Sequence, residues 1–216
     1  MSSRRLVWIH GLFGHPTDFE LVQAALPDVL EHHALLLPGH DSPALMETEG
    51  SGFEEATSRA LSAIHQWTSE PVWLVGYSMG ARLAMHIALH PEAKVAGVVA
   101  IGGHTGLAEV EARTERLRLD DERATRLERE GLPRFLADWY TLPLFGELLD
   151  DPDFTSTLMM RAARDPRALA VTMRRLSTGW QRDLSPSLAQ LSCPIHWVHG
   201  VLDARYAALY QAHPRR

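Results

Sequence analysis

Short apolar runs alternate with helically periodic segments along most of this chain. Residues 6–9, 33–37, 72–75, 95–101 and 195–198 are hydrophobic stretches of strand length, the pattern expected of strands buried on both faces. Between them, apolar residues recur every three or four positions at 17–26, 53–67, 79–90 and 204–211, which predicts amphipathic helices. The first of these has Pro16 just ahead of it and Thr17 or Asp18 as its expected cap. Such alternation predicts an α/β fold: a mostly parallel sheet with helices on both faces, joined by right-handed crossovers. Ligands in such sheets collect at the carboxyl ends of the strands.

The alternation stops after Gly102. From about 104 to 190 the chain is helical, arginine-rich and aromatic, with Trp139, Tyr140, Phe145 and Trp180. We read this stretch as a helical cap inserted over the strand ends of one domain spanning 1–216. Pro152, Pro166 and Pro186 predict turns between cap helices.

Composition narrows the class. With 216 residues, 45% of them hydrophobic and 22% charged, the chain can bury a full core and fits a soluble single domain. A net charge of −6 without a basic stripe argues against nucleic acid as a partner; the arginines between Arg113 and Arg134 alternate with acids, as on a solvated helix face. All but one of the 21 basic residues are arginine, Lys94 being the exception. Genome composition is the ordinary explanation, although arginine also suits two-pronged recognition of carboxylates. Cys193, the single cysteine, excludes an intrachain disulfide, fits a reducing compartment and is expected in the core. The segment LVWIHGLFG near the N-terminus is too short and broken for a membrane span or a convincing signal peptide, so the expected location is the cytoplasm.

Chemistry concentrates at 72–82, VWLVGYSMGAR. Gly76, Ser78 and Gly80 form G-x-S-x-G between an apolar strand and an amphipathic helix, the context of a nucleophile elbow and hence of an alpha/beta-hydrolase fold. A reacting serine needs donors for developing negative charge, a base and an orienting acid. The expected donors are the Met79 amide at the start of the helix and the amide of Leu12 or Phe13 in the loop after the first strand. Asp203 follows the last apolar run, where this architecture carries its acid; a bare helix cap is the competing reading. The histidine of such a triad lies beyond one more helix and strand, and only His213 follows Asp203. His213 stands where the next strand would begin, so it is not expected to be the base. His15, His40, His104 and His199 are expected to be loop or packing residues. Arg82, one helical turn after Ser78, places a guanidinium near the serine; a structural salt bridge and an anion site are both open to it.

These segments resemble the 2-succinyl-6-hydroxy-2,4-cyclohexadiene-1-carboxylate synthases of menaquinone biosynthesis. The resemblance covers His10-Gly11 with Gly14, Leu37-Pro38-Gly39-His40, the elbow with Arg82, and Gly102-Gly103-His104 with Gly106-Leu107. It continues through Arg113, Glu115-Arg116 and Arg118 to Phe135-Leu136-Ala137-Asp138-Trp139-Tyr140, then Pro143, Phe145, Gly200 and Asp203. It implies a carbon–oxygen lyase that eliminates pyruvate from 2-succinyl-5-enolpyruvyl-6-hydroxy-3-cyclohexene-1-carboxylate, with the serine as base. It further implies a small anionic substrate held by Arg82, Arg116 and Arg161, pocket aromatics at Tyr77 and Trp139, and no metal or organic cofactor. Ala81 and Asp41 stand where the family commonly has glycine. The family's last strand, helix and catalytic histidine have no counterpart in this sequence, which leads us to expect a weak base at Ser78 and much reduced activity. Two other functions fit the elbow: a serine hydrolase of small esters or thioesters, and a non-catalytic polycarboxylate-binding protein.

Overall fold

The computed structural model describes residues 4–146 and 148–211. Among them, β1 (Arg5–Ile9), β2 (Glu31–Leu35), β3 (Val72–Tyr77), β4 (Val95–Ile101) and β5 (Ile195–Val198) form one sheet, ordered β2-β1-β3-β4-β5. Every pairing is parallel. The central strands earn their place by composition: Val7, Ile9, Leu74 and Val98 are fully buried. Both edges depart from the doubly buried expectation. In β2 only Leu35 is buried, and in β5 His196 and Val198 are exposed, because an edge strand lacks one neighbour.

Helices α2 (Phe53–Trp67) and α3 (Met79–Ala88) cover one face, burying Phe53, Leu61, Ile64, Leu83 and Ile87 against Val7, Ile9 and Leu74. Phe19 packs on the other face beside Trp8 and Val75. The first helix differs in detail from the sequence reading. It opens as a 3-10 turn (Pro16–Phe19) and becomes α1 only at Glu20–Ala24. His15 rather than Thr17 or Asp18 is the cap: its ring accepts the Thr17 N–H, while Asp18 reaches back to the His15 N–H.

Between β4 and β5 lie α4 (Val110–Glu130), α5 (Leu132–Trp139), α6 (Pro152–Ala162), α7 (Pro166–Arg175) and the short α8 (Ser185–Leu188). Pro152 and Pro166 are the first residues of their helices and Pro186 lies in the first turn of α8, so they open helices rather than mark the turns between them. An N–H missing from the first turn costs no helical hydrogen bond. These helices enclose a second core of Leu127, Leu132, Leu136, Leu169 and Met173, and Phe13 from the loop after β1 is buried inside it. Arg174 locks α7 to α4 through Asp121 at 2.7 Å and Glu128 at 2.8 Å. Cys193 is half-buried beside the edge strand rather than in the core. A final helix, α9 (Ala204–Gln211), is anchored by Tyr210, whose hydroxyl donates to Gly103 O and accepts from Gly103 N. No helix among the described residues is long and apolar enough to cross a membrane.

Candidate active site

Strands β1, β3 and β4 end together, with Ile9 beside Gly76 and Tyr77 beside Ile101. The chain then reverses direction at one residue. Ser78 adopts φ 53° and ψ −110°, a region costly for any side chain, by roughly 1–3 kcal/mol. It is held there by its N–H to Ile101 O at 2.8 Å and by the Arg82 N–H to its own carbonyl at 3.2 Å. The flanking glycines are steric requirements. A Cβ on Gly80 would stand 2.0 Å from Ile9 O, and one on Gly76 2.5 Å from Gly80 O. Ser78 is half-buried, and its hydroxyl makes no hydrogen bond among the described residues.

The loop after β1 lies directly against the elbow: a Cβ on Gly11 would come within 3.4 Å of Ser78 Cβ. Of its two candidate donors, the Phe13 N–H is given to His40 Nε2 at 3.0 Å. The Leu12 and Met79 N–H groups have no acceptor among the described residues, so Leu12 is the donor left open. Two histidines support this loop from below. His10 Nε2 accepts the Leu37 N–H at 3.1 Å, and its Nδ1 donates to Gly11 O at 2.9 Å. His40 Nδ1 donates to Pro38 O at 3.0 Å while Nε2 holds Phe13. Both rings act as acceptors and must be neutral; burial lowers His10 to about 4 and His40 well below its ordinary value.

Arg82 and Arg116 are brought together; Arg161 belongs to a different set of contacts. Arg82 is 8% exposed, donates to Leu176 O at 2.6 Å and lies over the Phe53 ring. Burial, then the neighbouring Arg116 charge, pulls its pKa down to about 10, so it stays protonated at neutral pH. It forms no ion pair among the described residues. Arg116 is aimed by Asp120, whose Oδ2 takes its Nε–H at 2.7 Å and whose Oδ1 takes Arg123 Nη1 at 3.0 Å. Burial, with Arg205, Arg82 and Arg116 adding repulsion, lowers His104 to about 4. Arg161 is bound to Asp18 at 2.8 Å and to the Tyr140 hydroxyl. Tyr77, 44% exposed, borders Gly11, and Trp139 stacks on Phe135 and meets Phe13 edge-to-face beneath the Arg123 guanidinium.

Asp203 caps α9, accepting the Tyr206 N–H at 3.0 Å. No described histidine bonds its carboxylate. His15 caps a helix, His40 braces a loop, His104 accepts the Gly106 N–H, and His199 bonds Gly200 O, which agrees with reading all four as loop or packing residues. His213 lies outside the described residues. The described residues include no group of three or more His, Cys, Asp or Glu disposed to hold a metal ion.

Several residues hold the site in ways the sequence did not reveal. Arg164 and Asp41 fasten the loop after β1 to the cap, Asp18 holds Arg161, and Asp120 aims Arg116. Only Asp120 carried a local signal, standing one helical turn after Arg116. The others pair across distances of 123 to 151 residues, beyond any periodic pattern.

Comparison with known proteins agrees with this arrangement. Residues 6–216 match the model of the alpha/beta hydrolase family. A 2-succinyl-6-hydroxy-2,4-cyclohexadiene-1-carboxylate synthase from Klebsiella pneumoniae subsp. pneumoniae is 33% identical over 206 residues, covering 95% of this chain and 80% of the relative. The synthase from Serratia proteamaculans is 34% identical, covering 94% of this chain and 79% of its own. The fold matches MenH from S. aureus with a TM-score of 0.88 at 24% identity, covering 98% of this chain and 80% of that one. A thermophilic esterase from Thermogutta terrifontis matches with a TM-score of 0.77 at 21% identity, covering 97% and 78%. With its strained serine elbow, parallel sheet and arginine-rich cap, the chain belongs to the alpha/beta hydrolase family and, within it, to the 2-succinyl-6-hydroxy-2,4-cyclohexadiene-1-carboxylate synthases.

Proposed function

We propose that the chain is a lyase of menaquinone biosynthesis, eliminating pyruvate from 2-succinyl-5-enolpyruvyl-6-hydroxy-3-cyclohexene-1-carboxylate. Ser78 Oγ gives its own proton to the base that Asp203 orients and takes the ring proton at C2. The freed electron pair forms the C2–C3 double bond, the existing C3–C4 double bond shifts to C4–C5, and the C5–oxygen bond breaks to release enolpyruvate, which takes up a proton at its methylene carbon to become pyruvate. The Leu12 and Met79 amides stabilise charge as it develops. Arg82, Arg116 and Arg161 hold the carboxylates, Tyr77 and Trp139 flank the ring, and Asp203 supplies the acid of the serine's relay.

The observation that carries this reading is Arg82. A guanidinium this buried, next to a reactive serine and without a carboxylate partner among the described residues, is costly unless an anion completes it. An ester hydrolase has no need of that charge. Pyruvate release from the enolpyruvyl substrate, followed by coupled lactate dehydrogenase, tests the proposal. Release should fall by about 10³-fold or more in Ser78→Ala, and Arg82→Met should raise KM by about tenfold or more. Absence of release from the unaltered chain overturns the lyase reading. Fluorophosphonate labelling of Ser78 with ester turnover would then favour the hydrolase, and calorimetric binding of a succinylbenzoate without turnover the binding protein.

A further inference from the structure

Among the described residues Phe13 joins Asp41 and Ser78 as a non-glycine residue at positive φ; its value is 64°. Its side chain is buried in the cap's core, its N–H is held by His40 Nε2, and its carbonyl accepts Arg164 Nη1 at 3.0 Å. The same Nη1 donates to Gly14 O at 2.8 Å, and Arg164 Nε donates to Asp41 Oδ2 at 2.7 Å. The Arg164 side chain is only 6% exposed. It reaches the loop from the junction of α6 and α7, so one cap side chain grips two successive carbonyls immediately after Leu12. Asp41 has φ 62°, a conformation suited to glycine, yet it places a carboxylate where Arg164 needs a counter-ion.

We infer that Arg164, braced by Asp41, is a positioning residue that holds the strained Phe13 peptide and thereby aims the Leu12 N–H at the reacting centre beside Ser78. The inference deepens the proposed function and rests on the donor role given there to Leu12. Arg164 itself touches backbone carbonyls and a carboxylate, all within the protein. Loss of the grip lets Phe13 relax towards negative φ, which swings the Leu12–Phe13 peptide and displaces the Gly11–Leu12 peptide joined to it, carrying the Leu12 N–H away from Ser78. Turnover then suffers while substrate affinity does not.

Arg164→Met keeps the length of the side chain and removes the fork; Asp41→Gly removes the counter-ion at a backbone geometry that glycine favours. Both are made in the full chain and checked for cooperative melting. Amide hydrogen exchange of Phe13 should quicken by about tenfold or more in Arg164→Met, and kcat for pyruvate release should fall by about 10–100-fold with KM within about twofold. Asp41→Gly should shift both readouts in the same direction by less, and Arg164→Lys should recover part of kcat. Unchanged kcat in folded Arg164→Met overturns the inference, as does a rise in KM alone, which would mark a substrate contact. If the unaltered chain releases no pyruvate, the lyase reading falls, and Phe13 exchange alone decides the clamp: quickened exchange upholds it and unchanged exchange overturns it.

Discussion

At the scale of single residues, the elbow is a packing problem solved by small side chains. Gly80 is the tightest point, since the obstacle to a Cβ is the backbone of β1 rather than a movable side chain. Gly80→Ala should therefore cost roughly 3 kcal/mol or more and depress Tm together with activity, a fall readable by calorimetry. A variant that melts like the parent would contradict the close approach. This part of the site was legible in the sequence, because steric need restricts which residues can stand at 76, 78 and 80. Arg164 was not legible. Nothing in residues 160–168 distinguishes it from Arg161 or Arg167, and its role comes from carbonyls 150 and 151 residues earlier.

At the scale of elements, the cap holds itself together with charge and grips the rest of the domain with the same residue type. Asp120, 3% exposed on α4, collects Arg116, Arg123 and the Ser177 hydroxyl, joining α4 to the segment after α7. Asp120→Ala should lower stability by about 2 kcal/mol, or roughly 4–8 °C in Tm. It should also raise KM by freeing Arg116 to move, whereas unchanged KM would mean that Arg116 does not contact the substrate. Helix positions were largely legible from periodicity, with α2 and α9 recovered at their observed bounds. The opening of the first helix was not, because His15 competes with Thr17 and Asp18 for the same orphan N–H groups and only the folded loop decides among them.

At the scale of the whole molecule, several histidines are neutral structural acceptors or stacked rings. His10, His86 and His104 are lowered to about 4, chiefly by burial, and His40 lies well below its ordinary value. Each folded pKa is below the unfolded one near 6.5, so the unfolded chain takes up protons first as pH falls. Stability is therefore complete above about pH 6.5 and declines as pH drops towards 4, by up to about 1.4 kcal/mol per pH unit for each such histidine. Urea midpoints measured between pH 7.5 and 4.5 check this; a flat profile down to pH 5 would refute it, and His40→Gln should reduce the slope.

By itself the sequence determined the alternation of strand and helix, the elbow and the family, because each is written in spacing or in steric demands on neighbouring residues. Among the described residues, tertiary structure decided which amides near Ser78 remain free, that the buried Arg82 has no ion pair, and which side chains hold the loop beneath Ser78. Those properties depend on partners supplied from distant parts of the chain. A hydrogen bond between Arg164 and Phe13 exists only once residues 151 positions apart have been brought together.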